Sequence, residues 1–165
     1  MRLVIFGGGG HGKTVADIAE QLGYGEIVNL DDAFEDRPLS SFVNYIDEDT
    51  WFIPAFGNNE LRMKCISDVR EHGGKVATLV HPSAYVSPKA SVGEGTVVLP
   101  KAVVNTGVEV KDGCIVNLGS IVDHGTVIED GVHLCCGAIV KAENRIAALS
   151  KIEAGEVIEA RTFPL

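Results

Sequence analysis

From Val86 onward an aliphatic side chain returns at every sixth residue: Val86, Val92, Val98, Val104, Val110, Val116, Val122, Ile128, Leu134, Val140, Ile146, Ile152 and Ile158. Four residues after these positions stands a second set, small or β-branched: Ala90, Thr96, Ala102, Val108, Cys114, Ser120, Thr126, Val132 and Ala138. A period of six matches neither the repeat of a helix nor the alternation of an extended strand. It matches a parallel β-helix of hexapeptide repeats, with one short strand and one turn per hexapeptide. Three hexapeptides close a triangular coil of eighteen residues, so Val86, Val104, Val122, Val140 and Ile158 stack inside it. The small residues are expected at the corners, where a larger side chain would meet the coil above. Such coils are usually left-handed, and each buries its apolar face only against its neighbours. The corner signal weakens at Asn144, Ser150 and Glu156, so the last coil is less sharply specified.

Residues 1–80 follow a different pattern. Leu3–Phe6 is a short apolar run that reads as a buried parallel strand. After it come Gly7-Gly8-Gly9-Gly10-His11-Gly12 and a helical spacing of Val15, Ile18, Ala19 and Leu22 that ends at Gly23. Glu26–Leu30 is a second strand, closed by Asp31-Asp32, and Trp51–Phe56 a third. Gly57-Asn58-Asn59-Glu60 opens a second helix that either asparagine could cap, and Lys75–Val80 is a fourth strand. The expected architecture is an α/β N-terminal Rossmann-like domain, residues 1–80, followed by a left-handed parallel β-helix, residues 81–165.

The net charge of −9 argues against a nucleic-acid or anionic-membrane partner, but not against a small anion met by local positive potential. No apolar run approaches the ~20 residues of a membrane span. The opening Met1–Phe6 is too short for a signal peptide. Cys65, Cys114, Cys135 and Cys136 lack metal-ligand spacing, so no metal site is expected and a reducing, cytoplasmic location is the simplest expectation.

Three features carry chemistry. Gly7, Gly9 and Gly12 satisfy G-x-G-x-x-G between a strand and a helix, a context in which backbone N–H groups and the helix N-terminus meet phosphate. About 80 residues are too few for a full dinucleotide fold, so a nucleoside diphosphate fits better; a tight turn without ligand is the plain alternative. Asp31 and Asp32 would face a ribose hydroxyl or a base N–H, or be solvated turn acids. The second feature is Asp123-His124. His124 lies two residues after an inward aliphatic, so its imidazole is expected on or near the outer surface, where it can act as a general base or be a surface histidine without a role. The third is His133, nine residues on, which is half a coil. The two histidines then point in different directions and share a site only across a subunit boundary; otherwise His133 is a solvated turn residue.

These marks together resemble the NeuD/PglD group of bacterial sugar O- and N-acetyltransferases, which modify sialic acids or UDP-4-amino-sugars. The resemblance rests on Gly7–Gly12 with His11, Leu30-Asp31-Asp32, Gly57-Asn58-Asn59-Glu60-Leu61-Arg62, His81-Pro82-Ser83-Ala84, Asn117, Asp123-His124 and His133. It implies a nucleotide-sugar site formed by Gly7, Gly8, Gly9, Gly10, His11, Gly12, Asp31, Asp32, Gly57 and Asn58. It also implies a homotrimer with acetyl-CoA between neighbouring β-helices, near Asn117 and His133. His124 would be the catalytic base and transfer would be direct, without an acyl-enzyme. An acidic residue commonly follows that histidine in the family; here Gly125 stands there, with Asp123 as its available substitute. Two other readings compete: a non-catalytic sugar-nucleotide-binding or regulatory protein on the same fold, and, through the glycine loop, a nicotinamide-dependent oxidoreductase.

Overall fold

The computed structural model describes residues 1–165. The N-terminal part is a parallel sheet of four strands, β1 (Arg2–Phe6), β2 (Glu26–Leu30), β3 (Thr50–Pro54) and β4 (Lys75–Val76), in the order β2-β1-β3-β4. Helix α1 (Gly10–Gln21) connects β1 to β2, and α2 (Asn59–Glu71) connects β3 to β4. Strand order therefore reverses between β1 and β3, and a crevice opens at the C-terminal ends of those strands, where parallel sheets bind ligands. Asn58 caps α2, its Oδ1 accepting from the Leu61 N–H at 2.9 Å. The polar stretch before β3 contains a short 3-10 helix, Leu39–Tyr45.

The rest of the chain is a left-handed parallel β-helix of two-residue strands, from β5 (Leu79–Val80) to β18 (Val157–Ile158), forming three parallel sheets. Register follows the eighteen-residue coil: Val86 pairs with Val104, Val104 with Val122, Val122 with Val140 and Val140 with Ile158. These aliphatics and the small corner residues Ala102, Val108, Cys114, Val132 and Ala138 form one continuous core.

Two expectations need correction. Lys75–Val80 is two strands rather than one. Lys75–Val76 closes the N-terminal sheet, whereas Leu79–Val80 pairs with Val97–Val98 and is the first rung of the solenoid. The run Val76-Ala77-Thr78-Leu79-Val80 carries no turn residue and so hides the switch, because both strands need inward-facing aliphatics. Asn144, which looked like a fading signal, is fully buried. Its side-chain N–H groups donate to the Lys141 and Glu159 carbonyls at 2.8 and 2.9 Å, and its Oδ1 accepts from the Phe163 N–H at 2.8 Å. A corner can hold a polar residue when the adjoining coils satisfy it.

The three outer faces of the prism differ. Leu79, Val97 and Ile115 are buried against Leu3, Ile5, Val15 and Ile18, which docks the N-terminal unit on one face. A second face begins its strands with Ser91, Glu109, Val127 and Arg145 and is largely polar. The third presents Tyr85, Val103, Ile121, Ile139 and Val157 outward, one apolar residue per coil. Tyr85, Ile121 and Val157 are 54%, 36% and 44% exposed.

Candidate functional site

The glycine loop is built by close backbone approach. A methyl group at Gly12 would overlap the Gly7 carbonyl, and one at Gly8 would enter the Phe34 ring. Gly7 has φ +119°, a conformation that side chains resist. Gly9 and Gly10 have open space beside them. Helix α1 has no side-chain cap and no acidic residue in its first turn, so its leading N–H groups are available to an anion.

Asp31 belongs to this loop rather than facing outward from it. Its Oδ2 accepts from the Gly8 N–H at 2.7 Å and its Oδ1 from the Ala33 N–H at 3.0 Å. Those backbone donors, Ala33 first, hold its carboxyl below the usual carboxylate range. Asp32 accepts from the Leu39 N–H at 2.9 Å and borders a cleft of about 490 Å³ whose lining includes Phe6, Leu39, Phe42, Leu61 and Lys64. The two acids thus divide: Asp31 braces the glycine loop, and Asp32 borders the open cleft.

Beyond the loop, His11 meets the solenoid. His133 is the outward residue of strand β14 (His133–Leu134), half-buried rather than in a turn. Burial first, then neighbouring His133 and Arg62, lowers the His11 pKa to about 4. Burial first, then Arg62, lowers that of His133 to about 4 as well. His11 Nε2 and His133 Nδ1 are both buried without a hydrogen-bond partner in the chain. His133 Nε2 lies 3.3 Å from Asn117 Nδ2, and its ring lies against the backbone of Gly57. The fold therefore gathers His11 and Gly57 from the expected nucleotide site with Asn117 and His133 from the expected acyl site. Asn58 spends its side-chain oxygen on the helix cap instead.

Arg62 holds this junction together. It is fully buried, and its guanidinium donates to the carbonyls of Gly113 (2.9 Å), Phe56 (2.9 Å) and Gly131 (2.8 Å). One side chain thereby ties α2 to two successive coils. Its sequence signal was only its place in the Gly57–Arg62 run; nothing in the pattern marks it as buried.

His124 stands apart, exposed in the turn after strand β12 (Ile121–Val122), at the edge of the apolar outer face. Its side chain makes no hydrogen bond within the chain. Asp123 does not hold it: Asp123 Oδ1 accepts from the His124 backbone N–H at 2.7 Å and from Asn105 Nδ2 at 3.0 Å. Those two donors, the backbone first, lower the Asp123 pKa. Asp123 shapes the turn and leaves the imidazole free.

The PglD N-terminal domain model matches residues 2–69. UDP-N-acetylbacillosamine N-acetyltransferase of Bacillus subtilis (strain 168) is 31% identical over 108 residues, 58% of this chain, and the match spans 50% of that protein's length. The acetyltransferase domain of PglB from Neisseria gonorrhoeae FA1090, solved also with acetyl coenzyme A, superposes with TM-scores of 0.89 and 0.88. It is 39% identical, over 94% of this chain and 81% of that domain without the ligand. The chain belongs to the NeuD/PglD-type hexapeptide-repeat acyltransferase family. A further protein of similar fold, PerB from Caulobacter crescentus, solved with CoA and GDP-perosamine, is 25% identical with a TM-score of 0.53, the match covering 96% of this chain and 92% of that one. Within this NeuD/PglD-type frame, the glycine loop and the His11–His133 junction lie on one side of the prism, and His124 lies at the edge of another face. No helix is long and apolar enough to cross a membrane.

Proposed function

We propose that this chain is an acetyl-CoA-dependent acetyltransferase acting on a nucleotide-activated amino-sugar or sialic-acid-like sugar. The observation that carries the reading is the meeting of His11, at the end of the phosphate loop, with His133 and Asn117 on the solenoid. It brings the end of a nucleotide site against the expected acyl site. With pKa values near 4, both imidazoles are neutral at pH 7, so each can offer one N–H and one acceptor to a polar ligand. The ligands bound by the gonococcal and Caulobacter proteins support the same pairing of acyl donor and nucleotide sugar.

His124 lies half a coil from His133, on a different side of the prism, so a complete site needs a second copy. We place a homotrimer on the Tyr85–Val103–Ile121–Ile139–Val157 face. An exposed apolar ladder of this kind is a partner surface, and its edge carries His124. In that assembly His124 of one subunit takes the proton as the sugar amine or hydroxyl attacks the thioester carbonyl carbon. The carbon–sulfur bond breaks, the acyl group passes to the sugar, and CoA leaves as the thiol after protonation. Backbone N–H groups of the coil would stabilise the oxyanion. The four free cysteines fit a reducing cytoplasmic compartment.

A panel of UDP-amino-sugars with acetyl-CoA, monitored by thiol release, tests the reading. Turnover that His124→Ala abolishes is the expected result. Turnover unchanged in His124→Ala removes His124 from the mechanism. The competing reading, a nucleotide-sugar binder without catalysis, draws on Gly125 and on the unheld imidazole of His124. Calorimetry separates the two, because the binder takes UDP but not acetyl-CoA. Binding of NAD(P) instead of either ligand would favour the oxidoreductase reading.

A further inference from the structure

From Gly95 onward each turn of the β-helix has one position with positive φ, and glycine usually occupies it. In the corner that carries His124 the column runs Gly107, Gly125, Glu143, Arg161, with φ of 68°, 64°, 59° and 57°. Glu143 and Arg161 thus accept a left-handed backbone that disfavours side chains. Lys101 and Leu149 do the same in the other corners, with φ of 63° and 61°, so the conformation belongs to the repeat.

Glu143 follows Gly125 in the column. Its backbone N–H donates to the His124 carbonyl at 3.1 Å, so the two residues sit in successive turns of one corner. Its Cγ lies 3.6 Å from where a β-carbon on Gly125 would be, so its stem runs beside Gly125 at ordinary contact distance. Arg161 grips it from the far side, with Nε 2.5 Å from Glu143 Oε2. Oε1 has no partner in the chain. Charged groups of the turn and the next coil include Asp123, Lys141, Glu143 and Arg161; Lys141 pairs with Glu159, and Asp123 is committed to the turn backbone and Asn105. Glu143 is the remaining carboxylate.

We propose that Glu143, held by Arg161 and passing over Gly125, is the positioning residue that orients the His124 imidazole from the next coil. The carboxylate would accept the N–H of one ring nitrogen and leave the other as the base, fixing the tautomer. Glu143 responds to the nearby His124 charge, although the Arg161 hydrogen bond is the larger influence lowering its pKa.

The proposal rests on His124 being the base, and its test separates the two ideas. Imidazole nitrogen-15 shifts of His124 are recorded in the full-length protein, in Glu143→Gln and in Arg161→Met. One tautomer is expected to predominate in the parent chain and to give way to a mixture in Glu143→Gln, with a partial change in Arg161→Met. In the thiol-release assay, Glu143→Gln is expected to lower kcat about tenfold or more, part of the 10²–10⁴ that a positioned base contributes. KM for acetyl-CoA should hold, and Glu143→Asp should restore part of the rate. In a His124→Ala background, Glu143→Gln should change nothing further. An unchanged tautomer ratio in Glu143→Gln overturns the assignment whatever the activity does. A changed ratio without any effect of His124→Ala on turnover sustains the positioning contact and overturns the catalytic reading instead.

Discussion

Replacing Arg62 with methionine tests the account of the junction most directly. Methionine keeps much of the volume and removes all the donors. Three carbonyls, of Phe56, Gly113 and Gly131, then lose partners now at 2.8–2.9 Å. An unsatisfied buried acceptor costs ~1–3 kcal/mol, which would total ~3–9 for three. Against this stands the relief of a buried charge: burial has lowered the Arg62 pKa to about 10, so the guanidinium itself is under strain. That relief offsets part of the cost of the three orphaned carbonyls and places the net at about 3–5 kcal/mol. In a chain of this size that corresponds to a fall in melting temperature of roughly 6–20 °C. Urea unfolding followed by circular dichroism gives the energy. A proton NMR titration gives a second quantity, because Arg62 is among the causes that hold His11 and His133 near pKa 4. Both should titrate at higher pH in the variant. A loss below about 1 kcal/mol, with both histidines unmoved, would refute the idea that Arg62 is a charged wedge between sheet unit and solenoid.

Acid should destabilise the fold before the carboxylates titrate. The pKa of His11 and His133 is lowered from 6.5 to about 4, so between those values the unfolded chain binds protons that the folded chain refuses. Stability is then full above pH 6.5 and falls toward pH 4, and urea midpoints should follow that slope less steeply in His11→Gln. Ile121→Asp, in the middle of the apolar outer face, should shift the mass measured by light scattering toward the monomer and leave the circular dichroism spectrum intact. An unchanged mass would discard that face as the interface. Gly12→Ala should weaken UDP binding by tenfold or more in calorimetry, because its methyl collides with the Gly7 carbonyl and must push α1 away from the phosphate loop.

The solenoid was legible because its physics is one-dimensional: each coil repeats the same demand for an inward aliphatic, so Val86 to Ile158 announces it without tertiary knowledge. The glycine loop was legible for a similar local reason. What escaped notice depended on packing between distant segments. Leu79 and Val80 read as more of β4 because an aliphatic pair satisfies either sheet. Asn144 looked out of place until Glu159 and Phe163 supplied its partners. Asp31 carries the composition of a ligand contact, yet the Gly8 and Ala33 N–H groups reach it first. The neighbourhood of His11 and His133, 122 residues apart in sequence, arises only once the sheet unit docks on Leu79, Val97 and Ile115.

Only Ala77 and Thr78 separate β4 from the first rung of the prism. So short a splice, pinned again by Arg62, leaves the chain little freedom to flex between its halves. On the proposed function, the gap from the glycine loop to His133 would then work as a fixed gauge. A molecule gripped at both ends is measured by its own reach, and one a bond too long or too short presents the wrong atom at the far end.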